Sequence, residues 1–400
     1  MTMPKPLDGV RVLDFSKVLA GPLCTQYMAD MGADIIKVEP LGLGDETRAW
    51  PPFEADMGTV FLSANRGKRS LSVDMKSIEG QALIRRILPT CDVVIESFGT
   101  GVSERLGIDY NSLRAIHPDV IYCSISGFGR RGPMKNAPGY DVILQAFSGV
   151  MSLTGEEGGS PIRSPISPID QTTGIHALTG ILAALYARKS GQGGQIVEVS
   201  LFETAMGLLA YNLQSFWQRG VQPDKCGSSH ESLCPYQTFE ASDGIVMIGV
   251  ANDNLWRKFC AIADLDGIRD DPRFATNPNR VANRAETLRL VQDAIAKQPV
   301  SYWDTELAKV KVPCAPLNTL AQMLDHPHTA ATGMVMPYDH PAAGPLNAVA
   351  QPVQFGGNPR SVVRHPPQLG EHTAEILQEA GLTETEIASL QASGIVKIRP

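Results

Sequence analysis

Two aspartates stand where a carboxylate can do chemistry. Asp170 lies in SPISPIDQTTGIHALTGILAALYAR (residues 164–188), between a proline-punctuated approach and a long helix of apolar and small residues. Asp141 follows Tyr140 in GYDVILQAFSG (139–149), where it reads as a loop-to-helix cap. Aspartate is among the preferred N-cap residues, so capping is the ordinary role for both. For Asp170 a second role is compatible with the first. A carboxylate near a helix N-terminus is held as an anion by the dipole and the free N–H groups. If its free oxygen faces a ligand, it is an oriented nucleophile, and the same N–H groups can stabilise an oxyanion formed beside it.

Two further segments carry polar groups near strand ends. NRGKRSLSVDMK (65–76) gathers Arg66, Lys68, Arg69 and Lys76. A solvated basic face is the default for such a run, and a polyanion site becomes credible because it neighbours predicted strands. SFGTGVSERLG (97–107) is a glycine-punctuated loop with Phe98, leading to Arg105 in the helix that follows.

The elements that must position these residues alternate in the α/β manner. VRVLDF (10–15), ADIIKVE (33–39), DVVIES (92–97) and VIYCSISGFG (120–129) read as strands, with helices near 21–31 and over 77–88, the latter capped by Ser77. This pattern predicts a Rossmann-like, doubly wound parallel sheet whose ligand sits at the carboxyl ends of the strands. Long apolar helices follow at 170–189 and 201–218, separated by the strand QIVEVS. A Gly/Ser/Pro-rich loop at 220–235 then leads into a hairpin turning at Asp243-Gly244 and short helices to about 310. The expected organisation is a large α/β domain over 1–224, a small α+β domain over 225–325, and a return to the large domain over 326–400.

Bulk properties exclude several classes. The 400-residue chain is 43% hydrophobic and 19% charged, as in ordinary globular enzymes. Its net charge of -7 gives no global attraction for nucleic acid or an anionic membrane. The seven cysteines are scattered without ligand spacing, so no metal and no disulfide framework is expected. MTMPKPLDGVRVLDF has no apolar signal region and no run reaches membrane-spanning length, which leads to the expectation of a soluble, cytoplasmic protein. There is no Gly-x-Gly-x-x-Gly opening a helix after a strand, no phosphate-binding P-loop and no Gly-x-Ser-x-Gly elbow. GLGDE (42–46) has two glycines but no expected helix opening on it.

Taken in order, LDGVRVLDFSKVLAGPLCTQYMADMGADIIKVEP, NRGKRSLSVDMK, DVVIESFGTGVSERLG, GFGRRGPMKNAPGYD and LGEHT resemble the family III CoA-transferases over nearly the whole chain. That family includes formyl-CoA transferase, carnitine CoA-transferases and the related α-methylacyl-CoA racemases. The resemblance implies that Asp170 is the nucleophile and Asp141 a supporting carboxylate, with Tyr140 in the pocket. It implies coenzyme A as a substrate, not a permanently bound cofactor. Val18 and Ala20 are expected to line the pantetheine path, and Lys76, Phe98 and Arg105 to contact the rest of CoA. The racemases carry a His where Tyr140 stands, and a phenol is a poor proton acceptor at neutral pH, so transferase is favoured over racemase. A CoA-binding protein without catalysis is a third reading.

Two departures from formyl-CoA transferase are Leu19 in place of a Gln and Pro40 in place of an Arg. The first argues against formate and oxalate. The second removes a phosphate contact for which Arg48, Arg66 or Arg69 is a candidate replacement. CGSSHESLCPYQTF (226–239) resembles the subset acting on dicarboxylic acids such as succinate, glutarate or mesaconate, with Arg48, Ser229 and His230 as candidates for the second carboxylate. The family architecture further implies an interlocked homodimer, in which one subunit's large domain meets the other's small domain.

Overall fold

The computed structural model describes residues 4–356 and 359–399, so the first three residues of the N-terminal stretch and Pro400 lie outside it. The chain divides into two compact units. One comprises the chain up to Val150, Ser164–Gln214 and the chain from His328 onward; the other comprises Met151–Arg163 and Ser215–Pro327. Relative to the segments expected from sequence, the small unit begins ten residues earlier, at Ser215 instead of 225, and also takes a short excursion at Met151–Arg163. That excursion is glycine-rich and carries no hydrophobic period by which a boundary could be read.

The large unit is built on a seven-stranded sheet. Its strands are β1 (Arg11–Phe15), β2 (Asp34–Glu39), β3 (Lys68–Val73), β4 (Val93–Glu96), β5 (Ile121–Ser126), β6 (Ile196–Ser200) and β7 (Val396–Lys397), in the order β7-β3-β2-β1-β4-β5-β6. β1 to β6 pair in parallel, and only β7 runs antiparallel, Val396 lying opposite Val73. Order 3-2-1-4-5-6 is that of a doubly wound nucleotide-binding sheet, with its switch point between β1 and β4.

Both faces of the sheet are covered, which is why the strands read as apolar runs and not as alternations. On one side α1 (Ala20–Asp30) and α4 (Pro168–Ala187) pack on Val12, Ile35, Val93, Ile95, Ile121 and Cys123. On the other, α2 (Ile78–Ile87) and the helix Thr373–Glu379 pack on Leu13, Ile36, Leu71 and Val94. Neighbours such as Val12 and Leu13 thus enter opposite cores, as the two-residue period of a strand requires. Ser77 caps α2, its hydroxyl accepting from Gly80 N (3.0 Å). The helix expected over 201–218 is interrupted at Leu209, where ψ is 0°, giving α5 (Leu201–Leu208) and a second piece, Ala210–Arg219.

β3 departs most from the sequence reading. Every residue of KRSLSV is buried, so the basic run is a central strand and not a solvated face. The countercharges come from distant segments. Lys68 Nζ meets Asp14 (3.3 Å), and Arg69 is held by Asp34, Glu375 and Glu379. Arg66, just before the strand, pairs with Asp30 (2.5 Å). Buried charges must be paired to be tolerated, and these are.

The small unit has its own three-stranded antiparallel sheet, Tyr236–Glu240, Ile245–Gly249 and Cys314–Pro316, with the last on the outer edge of the hairpin. Trp256, Phe259 and Trp303 stack in its core. Arg280 is fully buried there and satisfied by the carbonyls of Cys234 (2.7 Å) and Phe274 (2.8 Å) and by Asp253 (3.0 Å). Among the described residues no helix is long and apolar enough to cross a membrane.

Candidate active site

The loops leaving the carboxyl ends of β1, β4 and β5 border an open crevice of about 240 Å³ at the switch point. Its walls are Lys17–Gly21 after β1, Ser97–Gly99 after β4 and Ile125–Gly127 at the end of β5, with Gly139, Tyr140 and Asp170 closing the far side. An open α/β sheet binds its ligand at this place. Val18, Leu19, Ala20, Phe98, Tyr140 and Asp170 are therefore brought together, although they span 153 positions of the chain.

α4 begins two residues earlier than its periodicity suggests, because Pro168 occupies the first helical position, where its missing N–H costs nothing. Asp170 is thus the third residue of the helix and not its cap. The cap position falls to Ser167, at φ 48° and ψ 60°, whose side chain makes no capping bond. The capping acceptor comes from outside the helix. Asp141, buried at the start of α3 (Asp141–Phe147), accepts through Oδ2 from the N–H groups of Ile169 (2.8 Å) and Asp170 (3.0 Å). Asp141 is the cap of the Asp170 helix, supplied from 29 residues away.

This corrects two expectations. Capping is carried by Asp141, which leaves the Asp170 carboxylate free of side-chain hydrogen bonds among the described residues and lining the crevice. The first turn of α4 also has no spare donors for an oxyanion. Pro168 lacks an N–H, those of Ile169 and Asp170 are taken by Asp141, and that of Gln171 is taken by Ser167 O (3.2 Å). Burial first, and then the negative charge of Asp141, push the Asp170 carboxyl up to about 7.

Close backbone packing fixes α4 against the crevice. A Cβ on Gly174, one turn after Asp170, would lie 2.5 Å from Ala20 O, at the start of α1. Gly174→Ala must therefore push the two helices apart. We expect a loss of about 1–3 kcal/mol in denaturant unfolding and weaker CoA binding; unchanged values for both would contradict this packing. Gly127 and Gly139 similarly meet backbone to backbone in the far wall, where a Cβ on Gly127 would stand 2.9 Å from Gly139 Cα.

The loop after β1 is strained and heavily braced. Val18 has φ 68°, an uncommon conformation for a β-branched residue. Beneath it Lys37 donates to Ser16 O (2.9 Å) and to Asp45 Oδ2 (2.9 Å), while Asp14 accepts from Ser16 N (2.8 Å) and Thr25 Oγ1 (2.6 Å). Asp45 also caps a short 3-10 turn at Glu46–Ala49, so GLGDE does open onto a helical turn, contrary to its reading as a plain loop. Lys17 pairs with Glu46 (3.0 Å) at the crevice rim.

Phe98 is set by a residue that sequence reasoning passed over. Arg130, in GFGRRGP, donates to Phe98 O (2.9 Å), Glu96 Oε1 (2.8 Å) and Ser124 Oγ (2.8 Å), binding the loop after β4 to the end of β5. Its signal was present, an arginine just beyond a strand end, but nothing local named its partners. Arg130→Met leaves Glu96 buried and unpaired. We expect about 3 kcal/mol of destabilisation and a CoA Kd raised about tenfold, read by thermal unfolding and calorimetry; an unchanged Kd would remove Arg130 from the CoA path.

Lys76 and Arg105 are exposed on connections that follow the carboxyl ends of β3 and β4, outside the crevice wall. Arg48 is otherwise engaged than expected. It forms a two-bond pair with Glu39 (2.8 and 2.8 Å), donates to Pro367 O (3.0 Å), lies 3.7 Å above the Phe61 ring and is only 8% exposed. Arg48, Arg66 and Arg69 are all paired with carboxylates of the protein, Glu39, Asp30 and Asp34 respectively. Ser229 and His230 belong to the small unit. Ser229 Oγ donates to Cys226 O (2.7 Å), and His230 Nδ1 accepts from Ser232 N (3.1 Å). No group of three or more His, Cys, Asp or Glu side chains among the described residues could hold a metal ion.

A doubly wound sheet of the nucleotide-binding type, a crevice at its switch point and a carboxylate lining that crevice together form a candidate enzyme active site. The sequence matches CoA-transferase family III over residues 7–373, and the chain belongs to that family. It is 39% identical to the succinate–glutarate CoA-transferase of Agrobacterium fabrum, covering 94% of this chain and 95% of that protein. It is 34% identical to human succinyl-CoA:glutarate CoA-transferase, covering 98% and 90% respectively. The crystal structure of a CAIB/BAIF family protein from Brucella suis superposes with a TM-score of 0.82 at 36% identity, over 94% of this chain and all of that one.

Proposed function

We propose that this CoA-transferase exchanges CoA between a dicarboxylyl-CoA donor such as succinyl-CoA and a dicarboxylic acid acceptor such as glutarate, with Asp170 as covalent carrier. The observation that carries the mechanism is the Asp170 carboxylate, which lines the crevice without a side-chain hydrogen bond among the described residues while Asp141 holds the turn beneath it. The carboxylate attacks the donor thioester carbonyl, forming a C–O bond and expelling CoA thiolate, which leaves an aspartyl–acyl anhydride. The thiolate then attacks the aspartyl carbonyl and releases the donor acid, leaving an aspartyl-CoA thioester. The acceptor carboxylate runs the same two steps in reverse and departs as the new acyl-CoA. Thioester energy is conserved, provided water is kept from the intermediates.

Because the α4 turn has no free donors, we assign oxyanion stabilisation to the first turn of α1, whose leading N–H groups at Ala20 and Gly21 have no intrahelical acceptor and border the crevice. Val18 and Ala20 line the pantetheine path and Phe98 packs beside it, with Lys76 and Arg105 beyond the rim for the CoA phosphates. Leu19 replaces a polar side chain with an apolar wall, which suits the methylene chain of a longer diacid better than oxalate. The names of the relatives support that substrate class. Ser229 and His230 are offered as contacts for the second carboxylate, reached in the interlocked homodimer. The exposed apolar residues Ile175, Tyr186, Met206, Leu208 and Tyr211 along α4, α5 and the next helix suit burial by a second copy. All seven cysteines are unpaired, which suits a reducing cytoplasm.

The test is a product assay. Succinyl-CoA with glutarate should yield glutaryl-CoA and succinate in equal amounts. Exchange of the α-proton of an acyl-CoA without any transfer would instead favour the racemase reading.

A further inference from the structure

Asp141 can cap α4 only if its own carboxylate is held in place, and the approach to α4 does not do this. Ser167 contributes no capping bond, so the joint depends on groups outside the helix. Gln145, one turn along α3 and wholly buried, supplies the hold. Its Nε2 donates to Asp141 Oδ1, and its Oε1 accepts from Ser164 N (2.8 Å). The two contacts fix the amide. Ser164 N–H is a donor, so the amide oxygen must face it, and the NH₂ group is thereby aimed at the carboxylate. The opposite orientation would set two donors and two acceptors against each other. Asp141 then accepts from three N–H groups, those of Ile169, Asp170 and Gln145.

We propose that Gln145 is a positioning residue for the transfer reaction: it locks the Asp141 carboxylate onto the first turn of α4 and ties that joint to the backbone at Ser164, and so fixes where Asp170 stands. Its effect on rate rests on Asp170 being the nucleophile; its effect on the α4 joint does not. Gln145 does not line the crevice, and its side-chain hydrogen bonds among the described residues go to Asp141 and Ser164, so its loss should act on the chemical step and not on binding. Asp170 is the titratable group that faces the Asp141–Gln145 pair from α4.

The experiment compares Gln145→Met, which keeps the length of the side chain and removes both polar atoms, with Gln145→Glu. Amide hydrogen exchange at Ile169 and Asp170 is measured in the ligand-free proteins, alongside kcat, KM for succinyl-CoA and CoA Kd. In Gln145→Met the two amides should exchange at least about tenfold faster, and kcat should fall about 10²-fold while KM and Kd stay within about threefold. In Gln145→Glu the new carboxyl can donate to Asp141 only when protonated. Protection of the Ile169 and Asp170 amides should therefore recover as pH is lowered, in a range where transfer itself falls because Asp170 must be ionised. A Gln145→Met protein with wild-type exchange and wild-type kcat would make Gln145 a core filler and overturn the proposal. So would a parallel collapse of kcat and CoA binding, which marks general unfolding. If the wild type transfers no CoA, the nucleophile assignment fails, and hydrogen exchange alone decides: unchanged exchange in Gln145→Met overturns the joint as well.

Discussion

Asp170→Asn should abolish CoA transfer, with kcat reduced by at least about 10⁴-fold while CoA still binds, because an amide cannot form the anhydride. The same variant should be more stable than wild type. Asp170 lies in the crevice wall with its carboxyl raised from an ordinary value near 3.8 to about 7, by burial first and by the charge of Asp141 second. The unfolded chain therefore ionises this group at a lower pH than the folded protein does. Its ionisation begins to favour the unfolded chain as pH rises past about 4, and the loss of stability is complete once pH passes about 7. Asn carries no such cost. The stability difference between Asp170→Asn and wild type should grow between pH 4 and 7 and level off above that, reaching about 2–4 kcal/mol by urea unfolding at pH 8. Equal stability of the two proteins across that range would mean that Asp170 is not held in the environment described. With Asp170 as the nucleophile proposed above, the activity of wild type should rise through the same interval as its carboxyl ionises.

Asp141→Asn separates the mechanical role of Asp141 from its electrostatic one. The amide oxygen can still accept from α4, although less strongly, so the fold should survive with a loss of about 1–2 kcal/mol. The rate should fall about 10²-fold through misplacement of Asp170. Removing the neighbouring charge also removes the second cause of the raised Asp170 value, so the rising limb of kcat against pH should move below 7, burial alone remaining to hold it up. Asp141→Ala removes the acceptor of the Ile169 and Asp170 N–H groups and of Gln145 Nε2 and should cost more stability than Asp141→Asn, by about 2 kcal/mol. A limb that stays at its wild-type position in Asp141→Asn would show that the two carboxylates do not interact.

Much of this arrangement was legible in the sequence. The strands of the sheet at 10–15, 33–39, 92–97 and 120–129 announce themselves as apolar runs bounded by turns, because a sheet covered on both faces is lined mainly by apolar side chains. β3 did not. Its Lys68 and Arg69 look like solvent-facing residues, and their burial depends on Asp14, Asp34, Glu375 and Glu379, some more than 300 residues away. The same limit governed the site. Asp170 was visible as a carboxylate at a helix mouth, but its freedom from capping follows from Asp141 reaching across 29 residues, which no local pattern encodes. Pro168 did carry a local signal, since proline is favoured at the first helical position, and it would have placed Asp170 inside the helix. Arg48 shows the same limit. It has the right charge near the right strand, yet Glu39 on the neighbouring strand holds it in a two-bond pair.

The claim on which everything else depends is that Asp170 carries the acyl and CoA groups. Intact-protein mass spectrometry after incubation with succinyl-CoA, trapped with hydroxylamine or borohydride, tests it directly in wild type and Asp170→Asn. A modification that maps to Asp170 and is missing from the variant is the predicted result. An unmodified wild-type protein with succinyl-CoA and with a small panel of other acyl-CoAs, or an adduct that persists in Asp170→Asn, would contradict it.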